Sequence, residues 1–134
     1  MSPSFFLDRS LGDFRVPQGL RDAGWTVVTM RERYGVSSAQ SLADVDWIAD
    51  AAQRGEIMLT ADRMIAKRPR EARVVADARA RVVALKDGRR TAQQQLDLFL
   101  SSSNRLMALE TRQGPFVISL SARGLTPLEL RGDA

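Results

Sequence analysis

Short apolar segments alternate along this chain with segments whose apolar residues recur at helical spacing. The apolar segments contain many β-branched residues and little polar alternation, which is typical of strands buried on both faces. They predict strands over residues 4–7, 25–30, 57–60, 81–85 and 116–120, with a short final strand over 125–130. Between them, the pattern predicts helices from Pro17 to Gly24, from Asp44 to just before Gly55, from Pro69 to about Ala78, and over 92–110.

Strands that alternate with helices specify an α/β fold with a mostly parallel central sheet. The turn at Arg123-Gly124 predicts that the last strand returns antiparallel at one edge. The length of 134 residues favours one domain over residues 1–134.

Two segments between the strands differ in character. Residues 31–43 are polar and carry no predicted element. The longest predicted helix, 92–110, follows Thr91-Ala-Gln-Gln94, which has the form of a capping box. Its apolar stripe either packs on the sheet or extends into a homodimer or partner groove.

The residue types that the chain lacks exclude several kinds of chemistry. There is no Cys and no His, which excludes disulfides, Cys/His zinc sites and Ser-His or Cys-His catalytic pairs. A metal would have to be held by oxygen ligands, which suit Mg²⁺ or Mn²⁺. No apolar run approaches the ~20 residues of a membrane span and no charged leader begins the chain, so we expect a cytoplasmic protein without membrane contact.

Charge is distributed unevenly along the chain. Residues 1–62 hold 6 basic and 9 acidic side chains, residues 63–90 hold 10 and 3, and residues 91–134 hold 4 and 4. The basic middle segment is typical either of a phosphate-binding surface or of ordinary solvated surface.

Four carboxylates fall where the predicted sheet would bring them together. Asp8 follows the first strand, Asp62 follows the third by one residue, and Asp44 and Asp46 open the helix that leads into the third strand. Ligands of parallel sheets bind at the carboxyl ends of the strands. Because such a cluster repels itself unless a cation neutralises it, the pattern indicates a divalent cation there.

Each acid also has a purely structural interpretation. Asp44 is a good N-cap, Asp46 suits the first turn of a helix, and Asp62 could cap a helix starting near Arg63. Asp8 differs, because no helix is predicted directly after it, and this favours a functional role. We expect Trp47 to pack in the core, with base stacking as the alternative.

The order of these motifs resembles the PIN-like nuclease domains, and most of all the divergent branch grouped with the VapC toxins of toxin–antitoxin pairs. The similarity runs through nearly the whole chain. It is carried by residues 5–8, 20–24, 44–48, 59–65 and 114–117.

The resemblance implies an α/β/α sandwich and a Mg²⁺- or Mn²⁺-dependent endoribonuclease acting as a toxin. It implies that Asp8, Asp44 and Asp62 are the metal-binding acids, and Asp46 or Glu71 the fourth catalytic acid. Many relatives carry an acid after the first aspartate where this chain has Arg9, so the number of metal ions stays open. The implied partners are RNA and a cognate antitoxin.

Without His, metal-activated water would attack the phosphodiester, with the carboxylates holding the metal. Basic residues shortly after Asp62 are candidates for holding RNA phosphates; these are Arg63, Lys67, Arg68, Arg70 and Arg73.

Three other functions place acids or binding surfaces on a similar fold. A response-regulator receiver needs an adjacent acidic pair near the start and a Lys after a later strand, and a dehalogenase-type phosphatase needs Asp-x-Asp after the first strand. Asp8-Arg9-Ser10 satisfies neither. The remaining alternative is a catalytically inactive PIN-like domain that binds RNA or a protein partner.

Overall fold

A computed structural model describes residues 2–131. Six strands form one sheet in the order β2-β1-β3-β4-β5-β6, in which all neighbours are parallel except β5 and β6. The strands are β1 (Ser4–Leu7), β2 (Thr26–Thr29), β3 (Ile57–Thr60), β4 (Arg81–Leu85), β5 (Phe116–Ser121) and β6 (Gly124–Leu128). The expected α/β sandwich with a mostly parallel sheet and an antiparallel edge strand is confirmed.

Helices cover both faces of the sheet. They are α1 (Arg15–Asp22), α2 (Met30–Tyr34), α3 (Val36–Ser41), α4 (Asp44–Gln53), α5 (Pro69–Ala78), α6 (Ala92–Ser101) and α7 (Ser103–Met107). Short 3₁₀ helices span Arg9–Leu11, Arg63–Ala66 and Ala108–Thr111.

The strand side chains divide the core into two layers because successive residues of a strand point to opposite faces. Phe5 and Leu7 pack with α1, α6 and α7, whereas Phe6 packs with α2 to α5. Trp47 is fully buried in the second layer against Phe6, as expected of a core residue. The result is the three-layer α/β/α arrangement.

The polar segment 31–43 is helical, contrary to the sequence prediction. Thr29 and Glu32 form a capping box that starts α2, a signal that the sequence contains. Arg33 then makes a two-pronged ion pair with Glu56, with Nη1 donating to Oε1 at 2.7 Å, and both side chains are almost fully buried. This pair fixes α2 to the residue just before β3.

The predicted helix 92–110 is interrupted. It begins at the expected Thr91 capping box but divides into α6, α7 and the 3₁₀ helix Ala108–Thr111. Ser102 separates α6 from α7, and its amide donates to the carbonyls of Leu98 and Phe99. Apolar residues of all three pieces pack against the sheet, so the packing interpretation of the apolar stripe is confirmed.

Candidate active site

The candidate site lies at the carboxyl rim of the parallel strands. Asp8 directly follows β1, and Asp62 follows β3 by one intervening residue. Because α4 and α5 run back across the sheet, their first turns lie at the same rim, and they carry Asp44, Asp46 and Glu71.

Asp8 is the most buried of these acids, with 4% of its surface exposed. Its Oδ1 accepts from the amide and hydroxyl of Ser10, and its Oδ2 accepts from the Thr60 hydroxyl at 2.7 Å. Burial is the largest effect and raises its pKa to about 6, against the lowering effect of these hydrogen bonds, with a further small rise from the charge of Asp44.

The structure also corrects the sequence argument for Asp8. A 3₁₀ helix starts directly after it, and Asp8 is the N-cap of that helix. Local capping therefore explains part of its position, and the prediction that no helix follows Asp8 was wrong. Capping does not explain its burial or its hydrogen bond to Thr60, which come from a strand distant in sequence.

Two hydroxyl groups connect the ends of β1 and β3. Thr60 Oγ1 donates to Asp8 and accepts from the Asp62 amide at 3.0 Å. Ser10 Oγ accepts from the Ala61 amide at 2.8 Å. Asp8 and Asp62 are thereby held on either side of one threonine.

Asp44 does not cap its helix, because Ala43 occupies the N-cap position and makes no side-chain capping bond. Its Oδ1 instead accepts from the indole of Trp47 at 2.9 Å and from Arg9 Nη1 at 3.2 Å. Arg9 also donates to the carbonyls of Ala39 and Leu42. Asp62 does cap the 3₁₀ helix Arg63–Ala66, with Oδ1 accepting from the Met64 amide.

Arg68 contacts Asp44, Asp62 and Glu71, which together with Asp8 form the acidic cluster of the rim. Its Nη2 contacts Asp62 and lies 3.5 Å from Asp44 Oδ2, while its Nε donates to Glu71 at 3.2 Å. The hydrogen bond to Asp62 is the main reason that the pKa of Arg68 is raised. Sequence reasoning assigned Arg68 to RNA, whereas the structure turns it toward three carboxylates.

The other predicted site residues are placed as follows. Asp46 is exposed in the first turn of α4 and takes no part in the contacts of Arg68. Arg63, Lys67, Arg70 and Arg73 are exposed around the start of α5, and Arg73 lies 3.6 Å from Asp77 one helical turn away. The rim therefore joins Asp8, Asp44, Asp62 and Glu71, and leaves Asp46 at its margin.

One acid on this rim was missed by the sequence analysis. Asp87 follows β4 by one intervening residue, as Asp62 follows β3, and it lines the same cavity as Asp62. Hydrogen bonds from Arg89 hold the pKa of Asp87 below its usual value. Its position after a predicted strand was the signal that could have identified it.

The donor set suits a hard divalent cation, because carboxylate and hydroxyl oxygens are the ligands that Mg²⁺ and Mn²⁺ prefer. The contacts of Arg68 establish that these carboxylates gather around a positive charge. Within residues 2–131, however, no three acids are close enough to form a ready metal cage. In the conformation described, a guanidinium group neutralises the cluster.

Within the described part of the chain, no helix is long and apolar enough to cross a membrane.

Comparison with known proteins identifies the family. Residues 3–87 match the family model described as a PIN like domain. The chain is also 38% identical over 115 residues to the Mycobacterium tuberculosis (strain ATCC 25618 / H37Rv) protein named "Putative ribonuclease VapC45", covering 86% of this chain and 83% of that protein. No solved structure gives a significant match. The motif order, the sheet and these two matches agree, and the chain belongs to the PIN-like domain family.

Proposed function

We propose that this protein is a divalent-metal-dependent endoribonuclease and the toxin of a toxin–antitoxin pair. The observation that carries the proposal is the gathering of Asp44, Asp62 and Glu71 around one guanidinium beside the buried Asp8. The relative named as a ribonuclease supports the reaction class.

In this proposal Asp8, Asp44 and Asp62 hold Mg²⁺ or Mn²⁺, which when bound supplies an activated water and neutralises charge on the phosphate. Thr60 fixes the orientation of the Asp8 carboxylate and the backbone of Asp62. Glu71 accepts a hydrogen bond from Arg68 and so fixes the side chain that contacts Asp62 and Asp44. With the carboxylates holding a metal, the Arg68 guanidinium would be available to an RNA phosphate.

Exposed basic residues at the start of α5 would position the substrate. Arg63 and Lys67 lie between Asp62 and α5, Arg70 lies in the first turn of α5, and all three are exposed to solvent. Phosphate contacts of this kind fix the position of RNA without reading its sequence.

The position of Arg68 limits how the proposed antitoxin could bind. An antitoxin Arg entering the acidic cluster must displace the Arg68 side chain that already contacts Asp62 and Asp44. An acidic antitoxin segment against the exposed basic residues meets no such competitor. Charge complementarity therefore favours the acidic segment.

The test is cleavage of single-stranded RNA with Mn²⁺, with EDTA, and with two matched variants. Asp8→Asn removes one ligand charge and should abolish cleavage, whereas Asp97→Asn, an exposed acid on α6, should cleave like the wild type. Expression of the wild type, but not of Asp8→Asn, should slow growth of the host. Equal cleavage by wild type and Asp8→Asn would remove Asp8 from the mechanism.

The second candidate, an inactive RNA- or protein-binding domain, is favoured by one observation. Arg9 and Arg68 both contact Asp44, so two internal cations already compensate a proposed metal ligand. Calorimetric titration with Mn²⁺ separates the two functions, because the inactive domain predicts no binding that depends on Asp8.

A further inference from the structure

A second feature of the rim is a cavity next to the acidic cluster. Its volume is about 470 Å³, and it lies between residues 61–64, which follow β3, and residues 86–90, which follow β4. Leu120 and Ser121 at the end of β5 complete its lining. The volume is within the ~300–1,000 Å³ range of small-molecule sites.

The lining is rich in positive charge. Arg63, Lys86, Arg89 and Arg90 contribute cations, and Asp62 and Asp87 contribute anions. Both anions have partners already, since Asp62 contacts Arg68 and Asp87 accepts from Arg89. Among residues 2–131, no acidic side chain forms an ion pair with Arg63, Lys86 or Arg90, so the cavity has unneutralised positive charge.

The wall formed by residues 86–90 is held in place by close packing. A Cβ on Gly88 would lie 2.3 Å from the Ala61 carbonyl oxygen, so only glycine permits this approach. The Lys86 amide donates to the Leu120 carbonyl at 2.9 Å, and the Arg89 amide donates to Asp87 at 3.0 Å. The cations therefore extend from a loop that packs against Ala61, the residue between β3 and Asp62.

Among residues 2–131, none of those that line the cavity has an aromatic side chain. Stacking on aromatic rings is the usual way in which proteins hold single-stranded bases. A nucleotide here would be recognised through its phosphate and not through its base.

We propose that this cavity binds a phosphate of single-stranded RNA adjacent to the phosphodiester that lies at the acidic cluster. The inference rests on the proposed function and adds a substrate subsite formed by Lys86 and Arg90. It also implies that the subsite tolerates any base.

The test uses the double variant Lys86→Gln/Arg90→Gln, which removes two unpaired cations and leaves the Arg89–Asp87 pair intact. Its control is Arg79→Gln/Arg112→Gln. This pair makes the same charge change in a cavity at the amino-terminal ends of the strands, on the opposite side of the molecule from the rim. Both are made in the Asp8→Asn background, with EDTA present, so that RNA is not cut. Affinity for a short fluorescein-labelled RNA is measured by anisotropy over a range of salt concentrations.

The Lys86→Gln/Arg90→Gln protein should bind about tenfold more weakly, and the slope of log affinity against log salt should flatten by about 1.4, since each phosphate contact contributes about 0.7. The control pair should change neither quantity. An unchanged affinity and slope, or loss of binding to an acidic protein partner without loss of RNA binding, would overturn the subsite.

The subsite and the nuclease activity can fail separately. If the wild type cleaves RNA and the double variant binds RNA normally, only the subsite is wrong. If the wild type does not cleave RNA but binding still depends on Lys86 and Arg90, the subsite stands and the nuclease proposal falls. If the Asp8→Asn protein binds no RNA, the subsite is overturned.

Discussion

At the scale of single residues, the candidate site is a balance between buried negative charge and nearby guanidinium groups. Asp8 is buried away from solvent. It accepts hydrogen bonds from hydroxyl and amide donors and forms no ion pair within the described residues. Asp44, Asp62 and Glu71 are less buried and contact Arg68. The two kinds of acid should therefore respond differently to substitution.

Asp8→Asn is expected to stabilise the metal-free protein. Since the pKa of Asp8 is raised to about 6 in the fold, the unfolded chain releases this proton at lower pH than the folded one. The contribution of Asp8 to the stability of the wild type therefore falls between about pH 4 and pH 6 and changes little above pH 6. Each pKa unit corresponds to about 1.4 kcal/mol. The unfolding free energy of Asp8→Asn should therefore exceed that of the wild type by an amount that grows across this pH range, to roughly 3 kcal/mol at most.

Urea denaturation of wild type and Asp8→Asn at pH 4 and pH 7.5, without metal, measures this difference. Asp97→Asn is the matched control and should show no such growth with pH. A stability difference that is the same at both pH values would contradict the raised pKa of Asp8.

Arg68→Gln tests whether the guanidinium substitutes for a metal ion. Its removal leaves Asp62 and Glu71 without their cation, while Asp44 keeps its contact with Arg9, so the metal-free protein should lose about 1 kcal/mol, a modest amount because the pairs are partly solvated. Mn²⁺ should bind more tightly, since Arg68 no longer competes for Asp62 and Asp44.

Melting temperatures with and without Mn²⁺, together with calorimetric titration, provide the measurement for Arg68→Gln. The control is Arg70→Gln, an exposed residue of the same helix. If Mn²⁺ affinity falls in Arg68→Gln and not in Arg70→Gln, Arg68 supports the metal site instead of competing with it.

At the scale of elements, the hydroxyl bridge between β1 and β3 is the contact that aligns the acids. Thr60→Val keeps the shape of the side chain and removes the hydroxyl, leaving the Asp62 amide without its acceptor and Asp8 with only its Ser10 donors. We expect a loss of about 1–3 kcal/mol in unfolding free energy. Thr126→Val, exposed on the edge strand β6, should change stability little by comparison in the same denaturation assay.

If Thr60→Val is as stable as Thr126→Val, the bridge does not hold the two strand ends together.

The helices of the polar segment 31–43 were not predicted from the sequence. Helices α2 and α3 lie in a segment whose composition is polar, and tertiary contacts such as Arg33–Glu56 stabilise helices too short to persist alone.

At the scale of the whole molecule, strand order decides which distant residues meet. The crossovers put β1 and β3 side by side in the interior of the sheet, with β4 next to β3. The acidic cluster therefore lies beyond β1 and β3, and the basic cavity lies beyond β3 and β4. One continuous rim carries both, which is the arrangement that a strand of RNA would require.

The strands, the parallel sheet and a rim carrying Asp8, Asp44, Asp46 and Asp62 follow from the amino-acid sequence alone, whereas Glu71 was expected only from the family resemblance. These features are predictable because runs of buried apolar residues and helix start signals are local, and because parallel strands end on one rim of the sheet. Only the tertiary structure decided that Arg68 turns to the carboxylates and that Arg9 reaches Asp44. A long, flexible arginine selects its partner among charges brought together by folding, and no local spacing encodes that selection.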